Sequence, residues 1–254
     1  MVNNFHTIKS GIVRDALYCI GQNPLPDSYI GGGLSLQFTL PDQLHRITCD
    51  IDLSTTRLTT VGDYRAYVTG AFDSLVQRGY SLEMERSRNT LDAHLERDND
   101  HLMVQLPRRN EKNLQARKVI LEREVEQARN IIYSGQNLKV MAYEDLIVHK
   151  LMRSTTFMDA YGLKLPQKKS LGEMKEDLDD LKERFDRTHF SLTPEEAARD
   201  LASIRLYADV FDIRAVLTCF PDEFDKSYLQ EAMDSFHTDD EKIRKWQRFF
   251  DRIS

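Results

Sequence analysis

Residues 46–54, RITCDIDLS, alternate without a break: Ile47, Cys49, Ile51 and Leu53 fall on one side, and Thr48, Asp50, Asp52 and Ser54 on the other. Successive side chains of a strand point to opposite faces, so this run predicts a strand with one face in a core and the other open. Its two aspartates, two residues apart, project from the open face together. A half-buried strand belongs to a sheet, and the flanking sequence shows where the other strands come from.

Upstream, residues 8–22 place Ile12, Ala16, Leu17 and Ile20 at helical spacing. Asn23-Pro24-Leu25-Pro26-Asp27 reads as a turn, and Ser28-Tyr29-Ile30 as a short strand running into Gly31-Gly32-Gly33. A short helix opens at Leu34 and Pro41 ends it. Downstream, residues 63–79 predict an amphipathic helix carrying Tyr67, Phe72 and Leu75. Strands are predicted over 81–87, 90–96, 101–106, 116–123 and 137–141. From Tyr143 onward the period is helical, over 143–153, 172–187, 194–218, 226–236 and 239–252. Thr193-Pro194-Glu195-Glu196 and Thr238-Asp239-Asp240-Glu241 are capped helix starts. Trp246, Phe249 and Phe250 read as helix-packing core, and His149 as the partner of Asp145 one turn earlier. The class is therefore α+β: a mixed sheet with flanking helices over 1–142, followed by an all-helical C-terminal domain over 143–254 that completes the cleft.

With 41% hydrophobic and 30% charged residues, the 254-residue chain can bury a real core and is neither disordered nor low in complexity. No apolar run reaches the length of a membrane span, and MVNNFHTIKSG lacks the pattern of a secretion signal. Cys19, Cys49 and Cys219 are odd in number and far apart, with no zinc spacing, and read as reduced thiols of a cytoplasmic protein. A net charge of −6 excludes a protein that coats nucleic acid through a surplus of Lys and Arg, while leaving room for a local basic groove. Arg108, Arg109, Lys112, Arg117, Lys118, Arg123 and Arg129 make one basic cluster and Lys164, Lys168 and Lys169 another; each is read equally as a groove for an RNA end or as mixed solvated surface.

Chemistry concentrates where strand, glycines, short helix and D-x-D strand follow one another. Glycines at a helix start let backbone N–H groups approach phosphates. Two carboxylates at i and i+2 suit a divalent cation held against a triphosphate, and such an ion polarises a phosphoryl group and lowers the pKa of an attacking hydroxyl.

These same residues carry a family resemblance. YIGGGLSLQF and HRITCDIDLST resemble the glycine-rich and D-x-D motifs of the DNA-polymerase-β-like nucleotidyltransferases, and more closely those of the AbiEii/AbiGii-type branch, nucleotidyltransferase toxins of abortive-infection and toxin–antitoxin systems. Gly31, Gly32, Leu34, Arg46, Thr48, Asp50 and Asp52 fit that pattern. YEDLIVHKL (143–151) and EDLDDL (176–181) resemble the branch's E-D-L-x-x-x-K-L and R-D-L-x-D-L helices. The chain departs by having Gly32-Gly33 where many members carry Gly-Ser, with Ser35 two residues later, and by Glu176 in place of an arginine. The resemblance covers most of residues 28–181.

What the resemblance implies is a nucleotidyltransferase-like fold and transfer of a nucleoside monophosphate from an NTP, with Mg²⁺ (or Mn²⁺), to a hydroxyl. Asp50 and Asp52 would hold the metal, Gly32, Gly33 and Ser35 would cradle the triphosphate, and Lys150 would neutralise phosphate charge. The acceptor would be an RNA, a tRNA end being one option, and the role that of a toxin with a cognate antitoxin. A protein side chain as acceptor and a catalytically inactive regulatory module are the alternatives. Lys150 and Asp177 both fall on apolar stripes of their helices, which is compatible either with an ion pair between the two helices or with a wet cleft; the resemblance favours the cleft, with Asp177 lining it. The third carboxylate of such sites is assigned to Glu122, with Glu124 as the alternative and Asp92, Glu83 and Glu85 left open.

Overall fold

The computed structural model describes residues 7–48, 50–57, 60–87, 90–107, 111–236 and 239–254. Cys49, Arg108, Arg109 and Thr238 lie outside the described residues. The chain divides into two compact units. One is the chain up to Thr39 with Ile47–Ala142; the other is Leu40–Arg46 with Tyr143–Ser254.

The first unit runs α1 (Gly11–Gln22), β1 (Ser28–Ile30), α2 (Leu34–Gln37), β2 (Asp50–Thr55), α3 (Val61–Gln77), β3 (Ser81–Arg86), β4 (Thr90–Arg97), β5 (Asp100–Pro107), α4 (Glu111–Gln127), β6 (Arg129–Tyr133) and β7 (Gln136–Val140). Its seven strands are ordered β3-β4-β5-β2-β1-β7-β6. The sheet is mixed: β2 is parallel to β5 and β1 to β7, and the other neighbours are antiparallel. With its flanking helices and the helical second unit, this is the α+β class the sequence predicts.

The alternation of the D-x-D strand is expressed directly. Along β2 the odd positions Ile51, Leu53 and Thr55 are buried and Asp50, Asp52 and Ser54 are half-buried. Ile51 lies beside Val104, and Val104 beside Ala93. These join Val13, Ala16 and Leu17 of α1 and Val68, Phe72 and Leu75 of α3 in one apolar core. α3 starts cleanly because Thr60 and Asp63 form a reciprocal capping box.

Residues 116–123, predicted as a strand, lie inside α4. The buried residues of that helix are Ile120, Leu121 and Glu124, a helical spacing, while Val119 is 63% exposed. Three consecutive apolar residues among strong helix formers do not alternate, and propensity prevails. The strand here is instead β6, paired with β7 through the two-residue Ser134-Gly135 turn. Both turn residues have positive φ, 49° and 77°, the combination of a type I′ hairpin.

The second unit holds α5 (Tyr143–Tyr161), α6 (Leu171–Thr188), α7 (Pro194–Cys219), α8 (Lys226–Asp234) and α9 (Asp240–Ile253), with single 3₁₀ turns at Asp42–Leu44 and His189–Ser191. α6 and α7 begin at capping boxes, Ser170 with Glu173 and Thr193 with Glu196. Asp239 caps α9. α5 and α6 both pack on α7. Trp246 and Phe249 are buried, the indole meeting Phe236 edge-on, while Phe250 stacks on Phe224. Cys19 is a buried free thiol and Cys219 a half-buried one. Among the described residues, no helix is long and apolar enough to cross a membrane.

Candidate functional site

The glycine turn closes directly onto the D-x-D strand. β1 ends at Ile30, whose carbonyl accepts from the Met141 N–H at 2.9 Å, and the next N–H, of Gly31, donates to the Asp52 carbonyl at 2.8 Å. Gly32 then takes φ +65°, and a Cβ at this position would stand 2.0 Å from Asp52 Oδ2. Only glycine permits both the left-handed backbone and the close approach. Ser35, fully buried, donates from Oγ to the Gly32 carbonyl at 2.7 Å. Its hydroxyl braces the turn from inside. Gly33 caps α2, which has only four residues, so the turn's own N–H groups rather than a helix dipole are what it offers an anion.

The open face of the sheet carries a polar row. Asp52 lies across from Gln105 on β5, Gln105 from Asp92 on β4, and Asp92 from Glu85 on β3. The Gln105 amide donates to Asp92 Oδ1 at 3.1 Å, and Asp92 is 8% exposed. Asp50 accepts from Thr48 Oγ1 at 3.2 Å. The pair Asp50 and Asp52 is an all-oxygen donor set of the kind hard divalent cations take, beside a turn without a Cβ, and in that respect the residues fit a magnesium-type ion. Among the described residues, no three His, Cys, Asp or Glu side chains converge closely enough to hold a metal by themselves.

Glu122 does not belong to this face. It sits on α4 with its side chain 55% exposed, 3.7 Å from Lys118. Glu124 is fully buried and accepts from the Tyr29 hydroxyl at 2.5 Å. Asp92, by contrast, shares the face of Asp52.

Lys150 and Asp177 are not partners. Lys150 is 2% exposed, and its Nζ lies 3.1 Å from Asp209 Oδ1 and 2.7 Å from Asp212 Oδ2, both on α7. Asp212 also accepts two parallel bonds from Arg46, at 2.7 and 2.6 Å, and Asp209 accepts from Arg153 and from Ser154 Oγ. Burial alone would push both carboxyl pKa values up. Arg46 and Lys150 around Asp212, and Lys150 and Arg153 around Asp209, overcome it and hold both below the usual range. Asp177 is engaged elsewhere, accepting from Lys169 Nζ and from the Tyr207 hydroxyl, each at 2.6 Å, with its side chain 37% exposed. Lys150 is thus a buried cation held between two carboxylates, and Asp177 a half-buried acceptor held below the ordinary range by Lys169 and then Tyr207.

No family model matches the chain, and no curated protein does. Two solved structures resemble it loosely. One is an antigenic nucleotidyltransferase-like protein from Paracoccidioides brasiliensis, at 13% identity over 89% of this chain and 95% of that one, TM-score 0.37. The other is Vibrio cholerae DncV cyclic AMP-GMP synthase in complex with the linear intermediate 5′ pppA(3′,5′)pG, at 13% identity over 80% and 71%, TM-score 0.26. Neither is described as a member of the AbiEii/AbiGii-type branch, and superpositions this loose carry no argument about function.

Sequence reasoning missed Gln105 as the link between Asp52 and Asp92, and Asp209 and Asp212 as the partners of Lys150. The second had a visible signal. In LYADVFDIRAV the two aspartates sit three apart within a mainly apolar helical stretch, and carboxylates on its buried side require cationic partners. The first had none short of the strand register. The described part of the basic cluster of residues 107–130 is divided: Lys112 and Lys118 are exposed on α4, Arg117 and Arg123 are half-buried on it, and Arg129 lies on β6, donating to the Met141 carbonyl.

Proposed function

We propose that this chain is a metal-dependent nucleotidyltransferase acting through the glycine turn and the D-x-D strand. The observation that carries the reading is the closure of Gly32 onto Asp52: a backbone stripped of its Cβ lies beside the Asp52 carboxylate, and Asp50 shares its face of the strand. On this reading the N–H groups of Gly32 and Gly33 hold the triphosphate, the Gly31 N–H being taken by the Asp52 carbonyl, and Ser35 keeps the turn in shape by bonding the Gly32 carbonyl. Asp50 and Asp52 hold Mg²⁺ or Mn²⁺, which when bound supplies Lewis-acid polarisation of the phosphoryl group. Asp92 takes the place expected of Glu122 as third carboxylate, because it shares the face of Asp52 and is oriented by Gln105. The acceptor hydroxyl oxygen forms a bond to the α-phosphorus and gives up its proton to water, the bond from the α-phosphorus to the oxygen bridging to the β-phosphate breaks, and pyrophosphate leaves. Lys150 and Asp177 have no part in this step.

The family resemblance extends the reading to an RNA acceptor, a tRNA end among the options, and to a toxin restrained by an antitoxin. The test incubates the protein with each NTP labelled at the α-phosphate, with Mg²⁺ or Mn²⁺, and with total RNA or lysate protein. Label in RNA supports the proposal in full. Label in protein keeps the chemistry and moves the acceptor. No label in either, under all four nucleotides and both metals, overturns it.

A further inference from the structure

Glu124 is a fully buried carboxylate that the proposed reaction does not use. It lies on α4 with Ile120 and Leu121, the helix's other buried residues. A third apolar side chain would suit that stripe, and a carboxylate withdrawn from water is costly unless something donates to it. One donor is the hydroxyl of Tyr29 on β1, at 2.5 Å.

Tyr29 stands in register with Ser54, two residues beyond Asp52, and so lies on the D-x-D face of the sheet. Its ring is 3% exposed, and Cε2 is 3.7 Å from where a Cβ on Gly31 would stand. Gly31 in turn bonds the Asp52 carbonyl, and Gly32 abuts the Asp52 carboxylate. A continuous set of contacts therefore runs from a buried carboxylate, through one aromatic ring, to the turn beside the two aspartates.

We propose that Glu124 and Tyr29 are positioning residues for nucleotide binding: Glu124 fixes the Tyr29 ring by its hydroxyl, and the ring sets the shape of the Gly31–Gly32 turn. The inference rests on the nucleotidyltransferase reading and assigns Glu124 no contact with metal or nucleotide. An anchored ring cannot swing away from Gly31, so the N–H groups of the turn stay aimed where a phosphate meets them. Partners that orient a binding group in this way are worth on the order of tenfold or more in affinity.

The experiment titrates a fluorescent NTP analogue with Mg²⁺ into wild type, Tyr29→Phe, Glu124→Leu, Glu124→Gln and Asp52→Ala, and measures each melting temperature. Tyr29→Phe and Glu124→Leu are expected to weaken nucleotide binding on the order of tenfold. Glu124→Gln, whose amide oxygen accepts the same O–H, is expected to bind close to wild type. Tyr29→Phe keeps the ring and its volume, so it serves as the test even where Glu124→Leu fails to fold. Wild-type affinity in folded Tyr29→Phe, however far its melting temperature drops, overturns the inference. When wild type binds and Asp52→Ala does not, that outcome sinks the inference alone. A wild type that binds no nucleotide sinks the functional reading and this inference with it.

Discussion

Replacing Lys150 with methionine keeps the length of the side chain and removes its charge. In the structure this ammonium is held 2.7 Å from Asp212 and 3.1 Å from Asp209, with side-chain exposures of 3%, 1% and 0% for the three residues. Breaking a buried ion pair from one side costs about 3–5 kcal/mol. Here each carboxylate keeps a guanidinium, Arg46 on Asp212 and Arg153 on Asp209, so the low end, about 3 kcal/mol, applies. For a protein of this size that corresponds to a fall of roughly 6–12 °C in melting temperature, at about 2–4 °C per kcal/mol. Calorimetry at pH 7 on wild type and Lys150→Met measures it directly. A phosphate-binding lysine in a wet cleft, the expectation from sequence, gives the opposite pattern: an unchanged melting temperature and weakened nucleotide binding. A drop under about 2 °C, well below the scale of a broken buried pair, would refute the network reasoning.

Gly32→Ala should cost about 1–2 kcal/mol of stability for an alanine at φ +65°, and reduce transfer by on the order of a hundredfold as the Asp52 carboxylate is driven from its place; a melting curve beside the labelling assay separates the two. Asp209 and Asp212 titrate below the unfolded value of 3.8, so the stability they lend is complete above that pH and is lost as the pH falls through their folded values. The wild-type melting temperature should therefore hold down to about pH 5 and fall below pH 4, and Asp212→Asn should begin lower and lose less over the same acid range. Glu122→Ala should transfer nucleotide as wild type does, whereas Asp92→Asn should lose most of its activity; the reverse order in a rate assay would return the third carboxylate to α4.

The strand at 50–55 was readable because one buried face imposes a period of two, and Ile51 and Leu53 obey it. The caps at Ser170 and Thr193 follow from local hydrogen bonding, which sequence carries in full. Residues 116–123 form no strand because a short apolar run has no period of its own, and the strand that does occur, RNIIY, pairs through a Ser-Gly turn. Lys150 was correctly placed on a buried stripe, but helical spacing says which face a residue shares and not which helix meets it. Asp177 lies on α6, which packs on α7, and Asp209 lies on α7, which packs on the helix of Lys150, and only the fold decides that Asp209 reaches the ammonium. Asp50, Asp52 and Gly32 were legible because their relation is nearly local, one turn and one antiparallel pairing apart. Asp92 needed two further strand registers, which no spacing in the sequence encodes.

The central claim is that Asp50 and Asp52 serve transfer of a nucleotidyl group. It is tested most directly by supplying one NTP labelled in parallel at the α- and γ-phosphates, with Mg²⁺ and total RNA, to wild type, Asp50→Ala and Asp52→Ala. The account predicts that wild type moves the α-label to the acceptor and releases the γ-label as pyrophosphate, while both variants, folded as judged by their melting curves, do neither. Transfer of the γ-label, or α-label transfer by Asp52→Ala at the wild-type rate, would contradict it.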